Sequence, residues 1–155
     1  MPGAHAPIVA LMVEKAGFDG IYISGAALSA ELALPDVGLT SLSEVVQRGR
    51  QISRVADVPS IIDVDTGFGE ALNTARTIQE TEELGLAGCH IEDQIATKRC
   101  GHLDNKILVD IKTMTQKIRS AIEARKDPDF MLIARTDAKS VEGLEAAINR
   151  AKAYV

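Results

Sequence analysis

Four short apolar runs constrain this chain most: DGIYIS over about 19–24, SIIDVD over 60–65, GCHIE over 88–92 and FMLIAR over 130–135. Their apolar residues stand side by side instead of alternating, so each run needs cover on both faces, as strands of a parallel sheet do. Between them lie segments of helical periodicity: 6–17 ending at Gly17, 44–56 with Ser43 as its N-cap, 71–85 after a Gly67-Phe68-Gly69 turn, and 109–125 before Asp127-Pro128. Ser140 with Glu142 starts a last helix running to Val155. Strict alternation of strand and helix predicts an α/β fold, a parallel sheet covered by helices, whose doubly wound and barrel forms periodicity cannot separate.

Every predicted strand ends in residues foreign to a core: Ser24-Gly25, Asp63-Val64-Asp65, Glu92-Asp93 and Arg135-Thr136-Asp137. In a parallel α/β protein these ends share one rim, where active sites lie. Polar groups arriving from every successive strand fit a barrel mouth better than the single switch point of an open sheet. Asp and Ser also cap the helices that follow strands, which is the structural alternative for each residue taken singly.

Asp63 and Asp65 stand at i and i+2, on the same side of their strand, and like charges so close repel unless a cation or proton lies between them. Hard carboxylate oxygens suit Mg²⁺, which often takes one or two protein carboxylates and keeps several waters. Glu92, on the next strand, is placed to orient those waters. Tyr22 and Ser24 share parity, as do His90 and Glu92; His90 is either a lining residue or a satisfied core histidine. Arg135 suits bidentate capture of a carboxylate.

The segment 93–106 is too polar and too glycine-containing to be regular, and it carries Lys98-Arg99-Cys100-Gly101-His102. A thiol after two cations and before a histidine is expected in an electropositive setting that favours its thiolate, which suits acid/base work. A zinc site needs more thiols than the chain supplies, since Cys89 falls inside a strand and reads as core. Gly67-Phe68-Gly69 lacks the spacing of a phosphate loop and reads as a turn.

With 17 Lys+Arg against 22 Asp+Glu in 155 residues the formal charge is −5, which argues against nucleic-acid and membrane-surface partners. Aromatics at 3% and the absence of Trp remove base-stacking platforms. Two cysteines are too few for a disulfide framework, no apolar run approaches a membrane span, and the N-terminus lacks the basic start and cleavage site of a secretory signal, so the expected location is cytoplasmic.

Seven segments together resemble the isocitrate lyase and phosphoenolpyruvate mutase superfamily: Pro2-Gly3-Ala4, Tyr22-Ile23-Ser24-Gly25-Ala26, Leu34-Pro35-Asp36, Asp63 to Gly69, His90-Ile91-Glu92-Asp93, Lys98 to His102 and Ala134 to Ala138. The Lys-Arg-Cys-Gly-His run is similar to its 2-methylisocitrate-cleaving branch. The resemblance implies a (β/α)8 TIM-type barrel and Mg²⁺-dependent cleavage of the tricarboxylate 2-methylisocitrate to pyruvate and succinate in the methylcitrate cycle of propionate catabolism. It implies that Asp63 and Asp65 bind the metal with Glu92 in its shell, that Ser24, Gly25 and Ala26 hold the pyruvate moiety, and that Gly101 and Arg135 bind substrate oxygens. Cys100 is implied to sit on a mobile loop and protonate the succinate carbanion, with Lys98 and His102 beside it and Tyr22 the candidate for removing the hydroxyl proton. A homo-oligomer, a tetramer in relatives, is implied too.

Alternatives are an isocitrate lyase, whose substrate lacks one methyl, a phosphonopyruvate-type mutase or hydrolase, disfavoured by Cys100, and a homologue that binds metal and ligand without turnover. Ala26 replaces a second glycine common in the family. A closed barrel of this type takes about 250 residues, so residues 1–155 are expected to form a partial barrel, roughly four strands with their helices. The family's later Glu and Asn then lie outside the chain. An open half barrel exposes strand edges and an apolar inner face, so the isolated chain is not expected to be a stable monomer.

Overall fold

The computed structural model describes residues 1–155. In order they form α1 (Pro7–Lys15), β1 (Ile21–Ile23), α2 (Gly25–Glu31), α3 (Leu42–Ser53), β2 (Ser60–Asp63) and α4 (Ala71–Glu83). There follow β3 (Gly88–Glu92), α5 (Ile111–Ala124), β4 (Met131–Arg135), α6 (Ala138–Val141) and α7 (Leu144–Tyr154). The strands lie in the order β1-β2-β3-β4, all parallel, with Tyr22 beside Ile61, Asp63 beside His90 and Glu92 beside Arg135. Residues 2–4 add a stub of strand outside β1, Tyr22 N–H donating to Pro2 O and Ala4 N–H to Tyr22 O, both at 2.9 Å.

One face of the sheet is the core. Ile21, Ile23, Ile62, Val64, Cys89 and Ile91 are fully buried against Ile52, Ile78, Met114 and Ala121 of the covering helices. Cys89 is thus a core residue, as its position in a strand predicts. The opposite face carries Tyr22, Ile61, His90, Ile133 and Arg135 around a concave hollow of about 430 Å³. No strand lies outside β4, and its Met131 and Ile133 remain 53% and 37% exposed.

Where the elements differ from expectation, local chemistry explains it. Helix α3 starts two residues early, because Ser41 and Glu44 form a reciprocal capping box and Ser43 does not. The short Ala-rich α2 is not among the elements the sequence predicts; Ser24 caps it by accepting from Ala27 N–H. The last helix is two, broken at Gly143, whose φ of +95° no helical residue adopts. Gly67 to Gly69 form the predicted turn, and Gly67 must be glycine: its φ is +85° and a Cβ would lie 2.6 Å from Thr74 Oγ1. No helix is long and apolar enough to cross a membrane.

Candidate active site

The polar strand ends meet at one rim, as the sequence implies. Asp63 closes β2 and Asp65 follows in a left-handed turn, φ +49°, and both carboxylates converge on the first residue of α2. Gly25 N–H donates to Asp63 Oδ2 at 3.4 Å, and a Cβ on Gly25 would lie 3.2 Å from Asp63 Oδ2 and 3.3 Å from Asp65 Oδ1. Asp65 N–H donates to Asp63 Oδ1 at 3.0 Å. Ser24 and Ala26 stand on either side of Gly25, so the three residues expected at the pyruvate position border the carboxylate pair.

Lys98 answers this charge. It is buried, pairs with Asp36 and lies 2.7 Å from Asp65 Oδ1. Burial works against its ammonium, but Asp65 and Asp36 outweigh that and raise its pKa, so Lys98 is a fixed counter-charge and not a group that exchanges protons. Asp65 is pushed up by burial, with Lys98 opposing. Its Oδ1 still lacks an aligned hydrogen bond.

Asp63 and Asp65 meet at Gly25, while Glu92, expected in the outer shell of a metal held by that pair, approaches from the next strand. Two buried carboxylates crowded around Gly25 and offering only oxygen fit a hard cation that takes one or two protein ligands and completes its shell with water and substrate.

Glu92 is fully buried at the end of β3, 3.2 Å from Arg135 Nη1. Burial pushes its carboxyl up to about 8 against the pull of Arg135 and Lys98. Arg135 also donates to Asp137 at 3.0 Å, and Gly101 leans on the guanidinium, where a Cβ would overlap Nη2. Gly101 and Arg135 are therefore adjacent, as a shared role in binding oxygens requires.

Residues 94–108 leave the rim and return to it, with Ile95 N–H bonded to Ile107 O at 3.0 Å and Val109 N–H to Asp93 O at 2.9 Å. Inside this loop Lys106 donates to Gly101 O and Leu103 O. Cys100 N–H donates to Asp36 O at 3.0 Å, and Cys100 Sγ lies 3.7 Å from His102 Nδ1. The two cations expected to flank the thiol point elsewhere: Lys98 to Asp36 and Asp65, Arg99 to the carbonyl of Asp104. His102 is the ionisable side chain in contact.

Tyr22 and His90 line the hollow together, resolving His90 as a lining residue. Tyr22 Oη is 2.7 Å from His90 Nε2, the rings nearly parallel, and His90 Nδ1 lies 3.7 Å from Asp63 Oδ1. Burial lowers the His90 pKa and keeps the ring neutral. Burial, then Asp63, raises that of Tyr22.

Four participants escaped the sequence reading: Asp36, Gln94, Asp93 and Asp137. Asp93 is fully buried and accepts from Thr136 Oγ1 at 2.7 Å, Asp137 N–H at 3.0 Å, Tyr154 Oη at 2.9 Å and Arg150 at 3.4 Å. Asp93 and Asp137 are polar strand ends and Asp36 follows Leu34-Pro35, but Asp36 meets Lys98 62 residues on, Asp93 meets Thr136 43 residues on, and of the partners of Asp137 Arg135 is two residues away whereas Gln94 is 43. Gln94 gave no signal at all, being a neutral residue in a polar stretch.

The phosphoenolpyruvate phosphomutase family model matches residues 1–155. The chain is 56% identical to a probable 2-methylisocitrate lyase 1 of Corynebacterium glutamicum, over all of this chain and 51% of that protein. Among solved structures it is similar to 2,3-dimethylmalate lyase, with a TM-score of 0.94 and 39% identity over 99% of this chain and 52% of that one. It is also similar to phosphonopyruvate hydrolase in complex with oxalate and Mg²⁺, with a TM-score of 0.88 and 37% identity over 99% and 53% of the two chains. The chain spans about half the length of the relatives it matches.

Proposed function

Since the chain belongs to the phosphoenolpyruvate phosphomutase family, with the parallel α/β architecture of half a TIM-type barrel, we propose that it forms part of a Mg²⁺-dependent carbon–carbon lyase acting on 2-methylisocitrate. One observation carries this reading: the loop bearing Cys100 and His102 is folded over Arg135, on the same rim as the Asp63–Asp65 pair. The residue after the thiol thereby abuts a guanidinium suited to a carboxylate, and the lysine two residues before it touches the acid pair.

In the reaction the hydroxyl proton of the substrate leaves, the C–O bond becomes a carbonyl, and the adjacent C–C bond breaks. Its electron pair goes to the succinate half, which takes a proton. Asp63 and Asp65 would hold the metal, which when bound polarises the oxygen that becomes the pyruvate carbonyl. The Ser24 hydroxyl hydrogen and the Ala26 N–H hold the pyruvate end, with Gly25 keeping the backbone close to the acid pair, and Arg135 with Gly101 holds a carboxylate of the succinate end. Tyr22 is held protonated and so is no base alone; His90 Nε2, 2.7 Å away, is set to take its proton as the phenol oxygen takes the substrate's. Cys100, paired with His102, delivers a proton to the new carbanion.

The test is pyruvate release from 2-methylisocitrate with Mg²⁺ and with EDTA, with isocitrate and glyoxylate release run in parallel. Metal-dependent pyruvate exceeding glyoxylate is expected. Glyoxylate in excess would reassign the enzyme to isocitrate, because one methyl is worth only about 1–3 kcal/mol of discrimination.

A further inference from the structure

Gln94 is 1% exposed, yet it belongs to no core. Its side chain spans three separate pieces of the rim. Nε2 donates to Asp137 Oδ2 at 2.8 Å, beyond β4, and to Arg99 O at 2.9 Å, in the Cys100 loop, with Glu92 Oε1 of β3 at 3.2 Å. Oε1 accepts from Arg99 N–H at 2.9 Å. That last bond fixes the amide's orientation, since a backbone N–H can only donate while a carbonyl and two carboxylates can accept. The amide thus mimics a strand neighbour for Arg99, engaging its N–H and C=O at once, on the residue directly before Cys100.

The other end of the same amide holds the two acids that flank Arg135. Arg135 pairs with Glu92 and with Asp137, and both of these are partners of Gln94. One fully used side chain therefore connects the position of the thiol to the position of the guanidinium. A buried amide with every bond made is rigid, and leaving its partners unmatched is costly.

We propose that Gln94 is a positioning residue that latches the Cys100 loop to the Glu92–Arg135–Asp137 group, so that docking of the loop and ordering of the carboxylate clamp occur together. The kinetic part of this proposal rests on the lyase reading; the latch itself does not.

The test uses Gln94→Ala and Gln94→Glu in the purified protein. The second keeps the volume but cannot donate to Arg99 O or Asp137. Tryptic cleavage after Arg99 is followed by mass spectrometry, with cleavage after the remote Lys126 as the internal reference, beside kcat and KM for pyruvate release from 2-methylisocitrate with Mg²⁺. Both variants are expected to be cut after Arg99 at least tenfold faster with Lys126 unaffected, and to lose at least tenfold in kcat with a rise in KM as well, because Gln94 holds both the residue before the thiol and the acids that order Arg135. Unchanged cleavage after Arg99 would overturn the latch. Faster cleavage with unchanged kcat would overturn the positioning role. If the parent protein releases no pyruvate, the lyase reading fails and the cleavage ratio alone decides the latch; if Gln94→Ala does not fold, the isosteric Gln94→Glu decides.

Discussion

Tyr22 Oη sits 2.7 Å from His90 Nε2, so a phenol on the first strand reaches across the second to a ring on the third. The contact exists because parallel pairing sets Asp63 beside His90 and Tyr22 one row lower, all three on the concave face. Removing the hydroxyl by Tyr22→Phe is expected to cut kcat by about 10²-fold or more, the low end of a positioned acid/base group, with the far-UV spectrum unchanged. A coupled pyruvate assay checks it, and full activity would remove Tyr22 from the proton path.

The proposed function assigns the metal to the acid pair. Asp65→Asn is expected to weaken Mg²⁺ at least about tenfold in titration calorimetry, more than Asp36→Asn, which removes only a partner of Lys98. Equal losses in the two variants would mean that Asp65 acts through Lys98 and not on the cation.

The two thiols differ in environment. Burial pushes Cys89 up to about 12, and a raised thiol pKa means the reactive thiolate is scarce at any lower pH. Iodoacetamide is therefore expected to add one group to the native protein, on the partly exposed Cys100, and a second, on Cys89, only after denaturation. Adducts on Cys89 in native protein near neutral pH would contradict its placement in the core.

Asp93 anchors α7 through Arg150 and Tyr154. Asp93→Ala leaves the Arg150 guanidinium buried without that partner and is expected to cost about 3–5 kcal/mol in denaturant unfolding. Glu80→Ala, which removes an exposed ion pair with Arg76, is expected to cost less than about 1 kcal/mol.

The free edge of β4 and its exposed Met131 and Ile133 invite pairing. The isolated 155-residue chain is expected to elute and scatter light as a species larger than 16.6 kDa, and Ile133→Lys to reduce that association. A sharp cooperative melt at monomer mass would refute this.

Much of the architecture was legible in the residues themselves. Consecutive apolar positions in IYI, SIID, GCHIE and MLIAR locate all four strands, and the alternation with helices predicts parallel pairing. The rim residues Ser24, Asp63, Asp65, Glu92 and Arg135 were visible because charge at the end of an apolar run has no place in a core. These are local signals, carried by spacing within a dozen residues. Tertiary structure alone decided which groups touch: that Lys98 is committed to Asp36 and Asp65 instead of to the thiol two residues away, that Glu92 pairs with Arg135, and that Gln94 holds Arg99 to Asp137. Each of these contacts joins a long side chain to partners on other strands and loops, and the choice among several acceptors in reach depends on burial and bond alignment, which exist only once the sheet has assembled.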